Sequence, residues 1–83
     1  MKLVYFAWLR SRIGKAEELI EKPAEVATVA DLLTWLERRG GGYAEALADR
    51  AVIRVAVNQD YVGPDHPVAE RDEIALFPPV TGG

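Results

Sequence analysis

The sequence has no cysteine and a single histidine. Disulfides, thiolate metal centres and cysteine-held iron–sulfur clusters are therefore excluded, and a histidine-rich metal site goes with them. No apolar run approaches the ~20 residues that a membrane-spanning helix needs. The opening MKLVYFAWLR carries one lysine and a short apolar run, without the longer apolar region and small-residue cleavage site of a secretory leader, so it reads as a first strand. A cytoplasmic protein with no membrane partner is expected. An excess of basic charge is also missing: 10 Lys and Arg stand against 13 Asp and Glu, for a net charge of −3. The electrostatic footprint that grips nucleic acid is absent. A chain of 83 residues buries only about 60–65% of its unfolded surface, enough for one modest core but not for a deep substrate cavity. That weighs against a self-contained enzyme.

What is present reads as one small α+β domain. Residues 2–8 are aromatic and β-branched, as strands are, with Leu3, Tyr5 and Ala7 on one face and Val4, Phe6 and Trp8 on the other. Residues 10–15 form a basic connection around Gly14, and residues 16–21 a weaker strand closed by Pro23. In TVADLLTWLERRG, Thr28 caps a helix and Asp31 completes an acidic capping box. Val29, Leu32, Leu33 and Leu36 keep the helical spacing of a buried stripe, Trp35 flanks it, and Gly40 ends it after Arg38 and Arg39. Gly40, Gly41 and Gly42 read as a loose hinge before a short helical turn. They are no phosphate cradle, because no Gly-Lys-Ser/Thr follows. Residues 52–57 make a strand with Ile53, Val55 and Val57 on one face, Tyr61 and Val62 a brief one, and residues 72–77 the last. The order describes a mixed sheet with one main helix packed on one face.

One helix covers one face of a sheet, so the other face should be polar. Here Val4, Phe6, Trp8, Ala75 and Phe77 point away from the helix side. Apolar patches of this kind on small chains mark partner sites.

The chain ends in FPPVTGG. Pro78 and Pro79 fix φ and favour a stiff, extended arm that cannot donate to a sheet ladder. Gly82 and Gly83 lack Cβ, so their backbone passes where any other residue would jam. The terminal carboxylate is ionised at neutral pH, and only activation, by an ATP-using enzyme, makes it an acylating group. Residues 1–77 are thus read as a domain and residues 78–83 as a tail built as a substrate terminus. Other candidates carry less. His66 sits in a turn between prolines with no nucleophile nearby. Asp72 and Glu73 point to opposite faces. Arg10, Arg12 and Lys15 form a basic cluster, either solvated or set to meet acidic residues of a partner.

Three blocks, YFAWLRSRIG, AVNQDYV and DHPVAERDEIALFPPVTGG, together with the helix start TVADLL, give the chain a family likeness over essentially its whole length. It resembles the MoaD-type sulfur carriers, the small subunits of molybdopterin synthase among the ubiquitin-like β-grasp proteins. The resemblance implies a β-grasp roll with an extended C-terminal tail. It also implies that Gly83 is adenylated by an E1-like adenylyltransferase using ATP and converted to a thiocarboxylate by way of a sulfur donor protein. The tail would then enter the large subunit of molybdopterin synthase and give sulfur to a pterin precursor in molybdenum cofactor biosynthesis. On this reading the small subunit binds no cofactor and is not an enzyme on its own, because the large subunit supplies the catalytic groups of a heterotetramer. Residue by residue, Gly83 is the thiocarboxylate site and Gly82 its slender neighbour. Phe77, Pro78, Pro79, Val80 and Thr81 match the docking arm, and Phe6 and Arg10 match partner-contacting positions. Tyr61 stands where relatives often carry an aliphatic contact residue, Arg71 where they commonly have glycine, and the triple-glycine loop is longer than usual. Two other readings remain open: a carrier for thiamine or tRNA thiolation or a ubiquitin-like modifier joined to lysines, and a β-grasp binding module with an inert terminus.

Overall fold

A computed structural model of the chain describes residues 1–79. The elements run β1 (Lys2–Tyr5), α1 (Ala7–Ile13), β2 (Glu17–Leu19), α2 (Val29–Glu37), α3 (Gly41–Ala46), a 3-10 turn (Arg50–Val52), β3 (Arg54–Val57), β4 (Asp60–Val62) and β5 (Glu73–Phe77). The five strands form one sheet in the order β2-β1-β5-β3-β4. The central β1–β5 pair is parallel and the other pairs antiparallel, so the sheet is mixed, as expected.

Alternation sets the core. Leu3, Tyr5, Val55, Val57, Ile74 and Leu76 share one face and are buried with Leu9 of α1 and Val29, Leu32, Leu33 and Leu36 of α2. The capping box forms as the sequence requires. Thr28 Oγ1 accepts from the Asp31 N–H at 3.2 Å, and Asp31 Oδ2 accepts from the Thr28 N–H at 3.1 Å. Backbone N–H groups of Ala27 and Thr28 hold the Asp31 carboxyl below its ordinary pKa. Among the described residues no helix is long and apolar enough to cross a membrane.

Three expectations are corrected. The first strand stops at Tyr5, not residue 8, because Ala7 takes a left-handed φ of 56° and swings the chain into α1. A non-glycine residue in that region costs of order 1–2 kcal/mol, and the burial of Leu9 offsets it. Trp8 therefore leaves the outer sheet face and packs against the core from α1. The supposed basic connection is this helix, ended by Gly14 at φ 91°, whose N–H donates to the Arg10 carbonyl. Nor is the triple glycine a loose hinge. Gly40 breaks α2, while Gly41 and Gly42 open α3, and a Cβ on Gly42 would lie 2.0 Å from the Arg12 carbonyl oxygen. Gly42 lets α1 and α3 cross backbone to backbone. Three helices rather than one thus cover the core face, and α2 remains the longest.

Candidate functional site

The outer face of the sheet is built from the alternate positions, and its aromatic end is set by three strand ends. Phe77 closes β5 and lies in register with Arg54 of β3. Tyr61 stands opposite Ala56 on β4, and its ring meets that of Phe77 with centroids 5.3 Å apart and planes at 44°. Phe6 follows β1, and its N–H still donates to the Leu76 carbonyl at 3.1 Å. The turn at Ala7 then leaves its side chain outward. Tyr61 is 77% exposed and Phe6 48% exposed. Aromatics of this size contribute about 1.5–3 kcal/mol each when removed from water. Left exposed at one end of a sheet, they form a surface that gains by being covered.

Residue order explains why Tyr61 lands beside Phe77. Asn58 and Gln59 both take positive φ, 51° and 74°, which makes the two-residue hairpin turn whose twist matches its strands. Asn58 also pins this hairpin to the start of β5. Its N–H donates to the Glu73 carbonyl at 2.8 Å, its Oδ1 accepts from the Glu73 N–H at 3.0 Å, and its Nδ2 donates to Asp72 Oδ1 at 3.0 Å. The sequence predicts only the brief strand at Tyr61 and Val62 here. An Asn at a positive-φ hairpin position is the signal that marked the clamp.

The structure also places the remaining predicted residues. Arg10 stands on α1 one turn beyond Phe6, with its N–H directed to the Phe6 carbonyl at 3.4 Å, and its side chain is exposed. Pro78 and Pro79 follow Phe77, both half-buried. Val80, Thr81, Gly82 and Gly83 lie outside the described residues. Val4 and Ala75 are half-buried on the outer face, so the expected apolar patch survives as Val4, Phe6, Ala75 and Phe77, extended by Tyr61 and without Trp8. The basic cluster separates. Arg12 stacks over the Trp8 ring at 5.5 Å, Lys15 faces Glu18 at 3.7 Å, and Arg10 alone has no side-chain partner among the described residues. His66 takes part through its backbone: its N–H donates to the Gly63 carbonyl at 3.2 Å and its carbonyl accepts from the Val29 N–H at 2.9 Å. Asp72 is committed to the turn before β5, accepting from Asn58 and from the Ala69 N–H at 2.8 Å.

On the core side, the polar chemistry is of another kind. Glu18 accepts from Tyr5 Oη at 2.7 Å, Tyr43 Oη at 2.6 Å and Arg39 Nη1 at 3.0 Å. Burial works against ionising this carboxyl, but the hydrogen bonds from Tyr43, Tyr5 and Arg39 together outweigh it and hold its pKa below the ordinary carboxylate value. Burial, and then the hydrogen bond to Glu18, push the Tyr5 phenol well above its ordinary value. Every partner in this knot is supplied by the fold. It joins β1, β2, α3 and the residues just after α2, and leaves no group free for chemistry.

Residues 3–83 match the ThiS family. The chain is 39% identical to the molybdopterin synthase sulfur carrier subunit of Escherichia coli (strain K12) over 83 residues, covering 100% of this chain and 99% of that one. Among solved structures it is similar to a putative molybdopterin converting factor subunit 1 from Pyrococcus furiosus, with 33% identity, a TM-score of 0.77 and 95% of each chain covered. It is also similar to small archaeal modifier protein 1 of Haloferax volcanii, with 30% identity, a TM-score of 0.74, and 96% of this chain and 97% of that one covered. These likenesses agree with the β-grasp architecture described above.

Proposed function

The chain belongs to the ThiS family, and on that premise we propose that it is the sulfur-carrier subunit of a molybdopterin synthase. The observation that carries this reading is the full-length likeness to a carrier subunit of that enzyme, combined with a family match that runs through Gly83. The uncovered aromatic end of the sheet supports it. Phe77, Tyr61 and Phe6 gather where the tail leaves the sheet, so a partner that covers them receives the terminus at the same time.

The chemistry belongs to the last residue. An E1-like adenylyltransferase would join the Gly83 carboxylate to the α-phosphate of ATP, releasing pyrophosphate. Sulfide-level sulfur delivered by a donor protein would then attack the acyl carbon, forming the C–S bond as the C–O bond to AMP breaks, to leave a thiocarboxylate. Phe6, Arg10, Tyr61 and Phe77 dock the body on the large synthase subunit, while Pro78, Pro79, Val80, Thr81 and Gly82 carry the terminus into its active site. The large subunit supplies the catalytic groups for transfer to the pterin precursor, in a cytoplasmic heterotetramer of two copies of each subunit. The chain itself binds no cofactor.

Deleting Gly83 tests this directly. Sulfur transfer to the precursor should be lost while the thermal midpoint stays where it was. Full activity in the deletion would remove the carrier reading. A second reading, a protein modifier joined to lysines, is favoured by the likeness to small archaeal modifier protein 1. Both share the activated terminus and part only at the acceptor, which conjugate formation on added lysine-bearing protein would reveal.

A further inference from the structure

We infer that Arg54 adds a charge to the docking surface beside that of Arg10 and receives a carboxylate from the large synthase subunit. This rests on the docking reading given above and adds a partner chemistry to it. In β3, RVAV, Arg54 alone is exposed while Val55, Ala56 and Val57 are buried. Its register partner across the sheet is Phe77. With Val55, Tyr61, Val62, Phe77 and Pro79 it lines one hollow of about 260 Å³. One wall of that hollow is aromatic and another is a guanidinium.

The guanidinium is held but not neutralised. Arg54 Nη1 donates to the Ala51 carbonyl at 3.2 Å and, more weakly, to the Ile53 carbonyl at 3.5 Å. Nε and Nη2 have no partner among the described residues, and no carboxylate there lies within ion-pair distance. Lys2 is matched by Glu17, Lys15 and Arg39 by Glu18, and Arg50 by Glu37, whereas Arg54, like Arg10, has no carboxylate partner among the described residues. The bonds to Ala51 and Ile53 orient the side chain and leave the Nε–Nη2 edge for a carboxylate, the geometry that guanidinium recognises with two parallel hydrogen bonds.

Charge is also sorted along the strands. Lys2 pairs in register with Glu73 and Val57 with Asp60, so Glu73 and Asp60 belong to the end of the sheet away from Phe77, while Glu17, opposite Val4, is bridged to Lys2. Arg54 and Arg10 stand at the aromatic end, on a chain whose net charge is −3. A partner surface that is apolar with a carboxylate at its margin is complementary to this end.

The test is a titration of the full chain against the purified large synthase subunit, at about 50 mM and 300 mM salt, for the wild type, Arg54→Leu, Arg54→Lys and Arg54→Glu. A charge at an interface margin acts mainly on the on-rate and on salt dependence. Arg54→Leu should weaken binding about five- to tenfold at low salt and flatten the salt dependence. Arg54→Glu should weaken it further, and Arg54→Lys should recover part of the loss, because one charge remains without the fork. Thermal midpoints should stay within about 3 °C of the wild type, since the side chain is exposed. If Arg54→Leu binds like the wild type with an unchanged salt dependence, the assignment of Arg54 fails while the docking reading stands. If the wild type does not bind the large subunit at either salt, both fail.

Discussion

The knot around Glu18 and the aromatic end around Phe77 lie on opposite faces of one sheet and solve opposite problems. At the knot, a carboxylate goes into the fold with two tyrosine hydroxyls and an arginine arranged around it. Tyr5, whose hydroxyl it accepts from, is 1% exposed. At the aromatic end, Tyr61 and Phe77 meet at a tilt, Tyr61 largely exposed and Phe77 half-buried. Buried polar groups are costly unless matched, and exposed aromatics gain by being covered. The first region is closed by the chain itself, and the second leaves aromatic surface open to solvent. Titratable groups gathered in one place are the usual guide to a functional site. Here that guide leads to the scaffold, and the surface proposed for docking carries few charges.

The comparison breaks most sharply when each region is damaged separately. Glu18→Leu should have the largest effect, lowering stability by about 2–4 kcal/mol, because the buried Tyr5 hydroxyl loses its acceptor and Tyr43 and Arg39 lose theirs. Denaturant titration reads this, while the affinity of the folded fraction for the large subunit should be unchanged. The same knot gives an acid sensitivity. The folded pKa of Glu18 lies below its ordinary value of 4.5, so its contribution is complete above about pH 4.5 and is lost as pH falls through the folded value. In the Leu variant that part of the acid-induced loss should disappear. Phe77→Arg should show the reverse pattern. Partner binding should weaken by about 2 kcal/mol, roughly thirtyfold in Kd, as an apolar anchor is replaced by a charge set beside Arg54. Thermal stability should change by less than about 1 kcal/mol, because the surface is not part of the core. If Phe77→Arg unfolds the chain, or Glu18→Leu spares stability while abolishing docking, the division between the two regions is wrong.

How much of this was visible beforehand depended on the range of the interactions. Helix α2 was legible because its signals are local: Thr28 and Asp31 three residues apart, then an apolar stripe at helical spacing. The last strand was legible by alternation, Ile74 and Leu76 against Ala75 and Phe77, and the brief strand at Tyr61 and Val62 by its place after a turn. Helix α1 was not, because the run through Trp8 keeps a strand-like pattern and the turn falls on Ala7, a residue with no preference for positive φ. Leu9 and Ile13, one helical turn apart, were the faint clue. The glycine triplet read as slack because the Arg12 carbonyl that demands Gly42 lies about thirty residues earlier in the chain. The Glu18 knot was invisible for the same reason: its tyrosine partners are 13 and 25 residues away, and nothing in EEL distinguishes the second glutamate from the first. Alternation places Phe6 and Phe77 on the outer face, and wrongly places Trp8 there with them.

The proposed function turns on the Gly83 carboxylate as the reactive group of this protein. Intact mass spectrometry after incubation with the activating enzyme, ATP and a sulfur donor tests it most directly. The account predicts a gain of about 16 Da, one oxygen replaced by sulfur, located on Gly83 and dependent on ATP, consistent with an acid that must be activated before it can be exchanged. An unchanged mass, in a reaction where the activating enzyme converts a known carrier, would contradict it.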